Sequence, residues 1–252
     1  MRKILAAILI CLLIAAAFAN AEEVEIVGDV QEMAVAEDVE VEKPAGRLAG
    51  LIIGIDPGHQ AHQNKEKEAV APGSKEKKAK VSSGTSGSAT GIDEYVVNLE
   101  VGLKLRDALE ALDAQVVMTR ETHDVNISNQ ERAAMMNEAN ADLVLRIHCN
   151  GSDDHKARGT GLYVRKTGER KDECYAAAKI LLDEMCAATG AKKRDVYRTD
   201  TYTMNNWCTV PCILVEMGFM SNYEEDEKLC SPEYQDLLVE GMVNGICKYF
   251  ER

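Results

Sequence analysis

Short apolar runs alternate along the chain with segments in which apolar residues recur at helical spacing. The first run, residues 51–55, is ended by Asp-Pro-Gly, which is typical of a buried strand that feeds a loop. The same kind of signal predicts strands at 115–118, 143–147, 161–165, 196–199 and 213–216. Helical spacing predicts helices over about 94–112, 127–140, 172–188 and 232–249.

Local signals mark the ends of these helices. Ser128 with Glu131 three residues later has the pattern of a capping box, and Gly190 follows the third helix as a stop signal. Ser231 followed by Pro232 fits the start of the last helix. Strands that alternate with helices predict an α/β sandwich with a largely parallel sheet.

The first 47 residues are not expected to belong to the folded domain. Residues 1–21 combine Arg2 and Lys3, an apolar stretch and a small-x-small cleavage pattern, which predicts a signal peptide; a retained N-terminal anchor is the alternative. Residues 22–47 are acidic and contain no aromatic residue, so we expect a disordered linker. Residues 48–252 then form one domain of ordinary size.

Charge and cysteine content narrow the function only slightly. The net charge is −13, and losing Arg2 and Lys3 with the leader leaves −15, which argues against a nucleic-acid partner. After cleavage we expect no stable membrane insertion. Seven cysteines remain in the cleaved chain, so at least one is unpaired. Cys208 and Cys212 flank a proline and are candidates for a bridge, with buried free thiols as the equal alternative.

A long loop is predicted between the first strand and the first helix, from about 59 to 92. It carries six lysines between Lys65 and Lys80 and then a Ser/Gly/Thr stretch. Loops of this length are uncommon in compact domains and are often functional. The lysines either contact an anionic polymer or peptide carboxylates, or form a solvated segment offset by Glu66, Glu68 and Glu76.

Three potential ligand or proton-transfer groups lie at or just beyond the carboxyl ends of predicted strands, where α/β sheets bind ligands. They are His59, His148 and Glu216, and Glu94 begins the first helix. Imidazoles with a carboxylate are the ligands of a catalytic zinc ion, and a further glutamate would serve as the base for its water. The set predicts a secreted zinc hydrolase.

Each residue alone has a simpler interpretation. His59 fits a polar loop, His148 fits a buried core histidine, and Glu216 fits a salt bridge to Arg146 or Arg120. We interpret His62, His123 and His155 as solvated. Trp207 is equally consistent with lining a ligand groove and with packing beside Pro211.

Three segments together resemble the zinc-dependent N-acetylmuramoyl-L-alanine amidases of bacterial cell walls, of the amidase-3 type. They are Ile-Asp-Pro-Gly-His-Gln at 55–60, Ala-Asp-Leu-Val-Leu-Arg-Ile-His-Cys-Asn at 141–150 and Pro-Cys-Ile-Leu-Val-Glu-Met-Gly-Phe-Met-Ser-Asn at 211–222. Thr119-Arg120, Arg132 before Asn140-Ala141-Asp142, and Asn98-Leu99 in the first helix are also similar. The resemblance covers nearly all of residues 50–250.

This resemblance implies a three-layer α/β/α sandwich of the phosphorylase/hydrolase type, with a mostly parallel mixed sheet. It implies that His59, Glu94 and His148 bind Zn²⁺ and that Glu216 is the catalytic carboxylate. The reaction it implies is cleavage of the amide between N-acetylmuramic acid and L-alanine in peptidoglycan.

Two departures from the family pattern bear on these assignments. The family often has a shorter connection before the ligand glutamate, so Asp93 and Glu100 are alternatives to Glu94. Arg146 stands where many relatives carry a small polar residue, and it either adds charge near the site or pairs with an acid. The alternative functions are a zinc peptidase that cuts within the stem peptide and a peptidoglycan-binding module without catalysis.

Overall fold

A six-stranded sheet forms the centre of the domain in a computed structural model that describes residues 46–251. Its strands are β1 (Ile52–Pro57), β4 (Gln115–Met118), β5 (Leu143–Asn150), β6 (Thr160–Val164), β7 (Lys193–Arg198) and β8 (Cys212–Phe219). Their spatial order is β4-β1-β5-β8-β6-β7. The pairing of β6 with β8 is antiparallel and the other four pairings are parallel, so the sheet is mixed but mostly parallel.

Six helices flank this sheet within the described residues. They are α1 (Glu94–Glu110), α2 (Asn129–Glu138), α3 (Lys171–Thr189), α4 (Thr203–Trp207), α5 (Tyr223–Leu229) and α6 (Pro232–Tyr249). The larger core lies on the face covered by α1, α3 and α6, and a smaller core lies under α2 and α4. The result is the predicted three-layer α/β/α sandwich.

Alternation along the central strands sorts side chains between the two faces. In β5, Leu145 and Ile147 pack into the larger core, whereas Val144 belongs to the smaller one. Arg146 and His148 share the Val144 side by the same alternation. Because β1, β5 and β8 are adjacent and parallel, their carboxyl ends meet at one edge of the sheet.

Most predicted element boundaries agree closely with the structure. The capping box at α2 is present in full: the Ser128 side chain accepts from the Glu131 backbone, and the Glu131 side chain accepts from the Ser128 backbone. Gly190 ends α3 in the left-handed conformation, at φ 66°. The strands β5 and β8 extend three residues beyond their predicted ends, at 150 and 219. The prediction missed α4 and α5, which have 5 and 7 residues.

The predicted long loop is wrong in its first half, where the chain forms an antiparallel hairpin of β2 (Asn64–Ala69) and β3 (Lys77–Val81). The hairpin is fastened to the α2 and α4 layer. Trp207 Nε1 donates to the Ala69 carbonyl at 2.9 Å, and Asn129 Nδ2 donates to the Lys80 carbonyl at 2.5 Å. Trp207 therefore acts as an anchor for the hairpin, and it also packs against the smaller core.

Other predictions concern the termini and the cysteines. The signal peptide at 1–21 and nearly all of the linker at 22–47 lie outside the described residues. The seven cysteines between 46 and 251 are all free thiols. No helix within that range is long and apolar enough to cross a membrane.

The central strand β5 provides a test of the core. Leu145 is fully buried, and its replacement by Ala is expected to lower the free energy of unfolding by about 2–5 kcal/mol, because a cavity remains. Leu237 is 38% exposed, so Leu237→Ala is the matched control and should change stability by less than about 1 kcal/mol. Urea unfolding followed by circular dichroism measures both. Equal losses in the two variants would contradict the described core.

Candidate metal centre

A buried carboxylate joins two histidines at the edge where β1, β5 and β8 end. Glu94, at the first position of α1, lies with Oε2 3.2 Å from His59 Nε2 and with Oε1 3.1 Å from His148 Nδ1. The two imidazole rings are 4.9 Å apart between centroids and nearly perpendicular. One ligand atom from each of the three residues lies within 4.8 Å of the others, a grouping compatible with a single metal ion.

Further hydrogen bonds hold the Glu94 carboxylate in place. Oε1 accepts from the Cys149 backbone N–H at 3.0 Å and from Asn98 Nδ2 at 3.1 Å, and Oε2 accepts from the Thr85 backbone N–H at 2.9 Å. Burial on its own would raise the pKa of Glu94, but the bonds to His148 and His59 outweigh it, and the pKa lies well below its usual range. The carboxylate is therefore ionised and ready to bind a cation.

The loop that carries His59 has an unusual backbone. His59 has a φ of 60°, a conformation that few residues other than glycine adopt, and such positions are common at functional sites. Its Nδ1 contacts the Ser82 carbonyl at 2.9 Å, which leaves Nε2 facing Glu94. Gly84, at φ 80°, passes so close that a Cβ there would lie 2.8 Å from Glu94 Oε2 and 2.9 Å from the His59 ring.

His148 is buried between Glu94 and Arg146. Arg146 Nη2 is 3.3 Å from His148 Nε2, and because a guanidinium can only donate, Nε2 is the acceptor in this contact. Burial lowers the pKa of His148 to about 4 despite the hydrogen bond to Glu94. The ring is neutral at physiological pH, which is the form that binds metals. Gly58 packs on the ring, and any side chain there would collide with it.

Glu216 lies in the same pocket and forms no ion pair with any described residue. It is a register neighbour of His148 and is 8% exposed, and its Oε2 has no hydrogen-bond partner among the described residues. Burial, and then the nearby Glu94 carboxylate, raise the pKa of Glu216 well above its usual range. The salt bridge considered for this residue is wrong: Arg146 binds Asp56, and Arg120 donates to backbone carbonyls.

A buried ionic cluster under the site determines the course of the 57–59 loop. Asp56 accepts from Arg132 at 2.7 Å, from Arg146 at 2.9 Å and from Thr119 at 2.8 Å. Burial would raise the pKa of Asp56, but the two arginines hold it far below its usual range. Arg132 also donates to the His59 carbonyl at 3.0 Å, so the cluster supports the histidine loop directly.

These groups lie in a cavity of about 490 Å³, between the end of the sheet and the β2–β3 hairpin. His59, Glu94, His148 and Glu216 all line it, so the structure brings together every predicted site residue. The alternatives to Glu94 lie elsewhere: Asp93 accepts from Ser86, and Glu100 accepts from Gln235. His62, His123 and His155 do not line this cavity either.

Sequence reasoning missed several residues that build the site. Asn98 stands out in the sequence only through the family resemblance, and the roles of Asp56, Gly58 and Gly84 are not predicted. For Asp56 the sequence offers one signal, an acidic residue at the end of an apolar strand, because a carboxylate buried there needs a partner.

A comparison with protein-family models matches residues 53–248 to the amidase-3 family, described as N-acetylmuramoyl-L-alanine amidase. The match covers most of the chain and all four site residues. The chain belongs to this family.

Individual relatives agree with the assignment. This amidase is 30% identical over 221 residues to the germination-specific N-acetylmuramoyl-L-alanine amidase of Bacillus subtilis, covering 81% of each chain. It is 27% identical to N-acetylmuramoyl-L-alanine amidase Rv3717 of Mycobacterium tuberculosis, covering 80% of this chain and 87% of the relative.

Solved structures resemble the amidase in fold. The N-acetylmuramyl-L-alanine amidase Ami1 of Mycobacterium smegmatis superposes with a TM-score of 0.74 at 25% identity, over 81% of this chain and 98% of that one. An N-acetylmuramoyl-L-alanine amidase of Clostridium difficile 630 superposes with a TM-score of 0.68 at 25% identity, over 80% of this chain and 97% of that one. The predicted family, fold class, peptidoglycan substrate and enzymatic nature are thereby confirmed.

Glu216 gives a pH-dependent prediction for the metal-free amidase. Folding raises the pKa of this carboxyl above its unfolded-state pKa of about 4.3. The folded state therefore loses stability as the pH rises from the unfolded-state pKa through the raised folded-state pKa. Glu216→Gln removes this cost. We therefore expect the metal-free variant to be more stable than wild type at pH 8, with the difference shrinking towards pH 4.

Urea unfolding of chelator-treated proteins at both pH values measures the difference. Glu224→Gln is the control, because Glu224 is exposed and lies outside the cavity. A stability difference for Glu216→Gln that is the same at pH 4 and pH 8 would contradict the assigned environment.

Proposed function

We propose that this amidase uses one zinc ion, held by His59, Glu94 and His148, to cleave the bond between N-acetylmuramic acid and L-alanine, with Glu216 as the general base. The observation that carries the proposal is the convergence of three ligand atoms within 4.8 Å in a cavity that also contains Glu216. Two histidines and a carboxylate form a known catalytic zinc set that leaves a coordination position open.

The charges around the cavity support a cation at this point. Glu94 and Glu216 are both buried, and the nearby arginines are engaged by Asp56 and by neutral groups. Burial first, and then repulsion from the neighbouring Glu94 carboxylate, raise the pKa of Glu216, and the Arg146 guanidinium offsets only part of this. A divalent cation held by Glu94 would relieve that repulsion.

The chemistry divides between the metal and the protein. Bound zinc would lower the pKa of a water molecule towards ~7 and polarise the amide carbonyl. Glu216 would accept the proton of the attacking water and pass it to the leaving amine. A carboxyl pKa raised above its usual range suits this exchange, and general acid–base help of this kind contributes roughly 10²- to 10⁴-fold in rate.

The surrounding residues would keep the ligands in position. Thr85 N–H, Cys149 N–H and Asn98 orient the Glu94 carboxylate, and the Ser82 carbonyl orients His59. Mutation of such a hydrogen-bond partner usually lowers metal affinity or activity by 10- to 100-fold.

We further propose that the catalytic domain, residues 48–252, acts outside the cell at the wall, after export by a leader at 1–21 and beyond the acidic linker at 22–47. The basis is the sequence pattern of those segments together with a substrate that is a wall polymer. Amino-terminal sequencing of the exported protein tests the cleavage after Ala21.

Substitution of Glu216 separates catalysis from metal binding. Glu216→Gln is expected to reduce the release of stem peptides by at least about 10²-fold while one zinc per chain remains bound, because the base is lost and the ligands are intact. His59→Ala and His148→Ala should lose both zinc and activity. Elemental analysis and the appearance of new amino termini measure the two properties, with His62→Ala as the control that keeps both.

Hydrolysis by Glu216→Gln at the wild-type rate would contradict the assigned role. Product analysis by mass spectrometry separates the alternatives, because only the amidase reaction releases intact stems that begin with L-alanine. A peptidase would release fragments cut within the stem, and a binding module would release no new amino termini.

A further inference from the structure

The hairpin β2–β3 places one lysine at the catalytic cavity. Of the six lysines between 65 and 80, Lys78 is the one that lines it, together with Thr201 and Tyr202 on the facing loop. Lys77, its neighbour on β3, is exposed and lies outside the cavity. The hairpin is therefore a wall of the site with a single ammonium group on its inner side.

Lys78 differs from the other cations around the cavity. The side chains of Arg132 and Arg146 are 2% and 5% exposed and are paired with Asp56, so they are not available to a ligand. The side chain of Lys78 is 40% exposed. Its Nζ lies 3.9 Å from a glutamate, Glu76, which is itself 66% exposed, so this ion pair is weak.

The position of the Lys78 ammonium is partly fixed before any ligand arrives. Nζ donates to the Thr201 carbonyl at 3.0 Å, which uses one of its three N–H groups and leaves two. The hairpin behind it is held by Trp207 and Asn129 at the Ala69 and Lys80 carbonyls. A donor held in this way loses less entropy when it binds a partner.

The chemistry of the cavity indicates what Lys78 binds. The whole chain carries a net charge of −13, so it repels anionic groups on a substrate at long range. A peptide stem carries free carboxylates on the leaving side of the cleaved amide. The Lys78 ammonium offsets that repulsion within the cavity and offers its two remaining N–H groups to such a carboxylate.

We propose that Lys78 is a specificity-determining residue that binds a free carboxylate of the stem peptide, so that the enzyme selects stems with free carboxylates over stems whose carboxylates are carboxamides. This inference rests on the proposed function. Lys78 takes no part in the bond-breaking step; it contributes to binding and orientation of the peptide.

Two synthetic N-acetylmuramoyl-peptides test this inference, identical except that the stem carboxylates of one are carboxamides. The wild type should cleave the free-carboxylate compound with a kcat/KM about tenfold higher, the effect of one charge-assisted contact at a partly exposed site. Lys78→Gln should bring the ratio near one, mainly through KM for the free-carboxylate compound. Lys78→Arg should keep the preference, and Lys77→Gln is the matched control with an unchanged ratio.

The ratio distinguishes recognition from a structural role. If Lys78 only supported the hairpin, Lys78→Gln would slow both compounds equally, and that result would overturn the inference, as would a wild type without preference. Failure of the wild type to cleave either compound would instead contradict the proposed function. Calorimetry then measures the binding of both compounds to the Glu216→Gln variant and to the double variant that also carries Lys78→Gln. This comparison decides the role of Lys78 independently of turnover.

Discussion

The contact on which the site depends is the bridge that Glu94 makes between His59 and His148. The three residues come from a loop after β1, the start of α1 and the end of β5, so no local segment forms the site alone. A carboxylate this deeply buried is tolerated because backbone N–H groups and two imidazoles engage both of its oxygens. The same arrangement brings one nitrogen of each histidine and a Glu94 oxygen within 4.8 Å of one another.

The surrounding fold is arranged to allow this convergence. Gly58 and Gly84 let the backbone approach the His148 ring and the Glu94 carboxylate, where a side chain would collide. Beneath them, Asp56 with Arg132 and Arg146 links β1, α2 and β5 through buried ion pairs. Removing Asp56 would leave two buried guanidinium groups without their shared carboxylate, which is strongly destabilising. Arg132 also donates to the Pro57 and His59 carbonyls, so the cluster is tied to the loop at 57–59.

The sequence pattern was sufficient for the layers and for the location of the site. Apolar runs and helical spacing identified the six sheet strands and the four longest helices, and His59, His148 and Glu216 were expected together because parallel strands end at one edge. The antiparallel direction of β6 was not predictable, since periodicity carries no information on direction. The hairpin escaped prediction because β2 reads Asn-Lys-Glu-Lys-Glu-Ala, a mostly exposed strand without apolar alternation. Its stability comes from distant partners such as Trp207.

Zinc-loaded protein tests the central claim most directly. Anomalous diffraction at the zinc edge should show one site per chain, with the ion within bonding distance of His59, Glu94 and His148 and with Glu216 beside it in the cavity. A zinc ion coordinated by only one of these histidines, or bound elsewhere on the chain, would contradict the account.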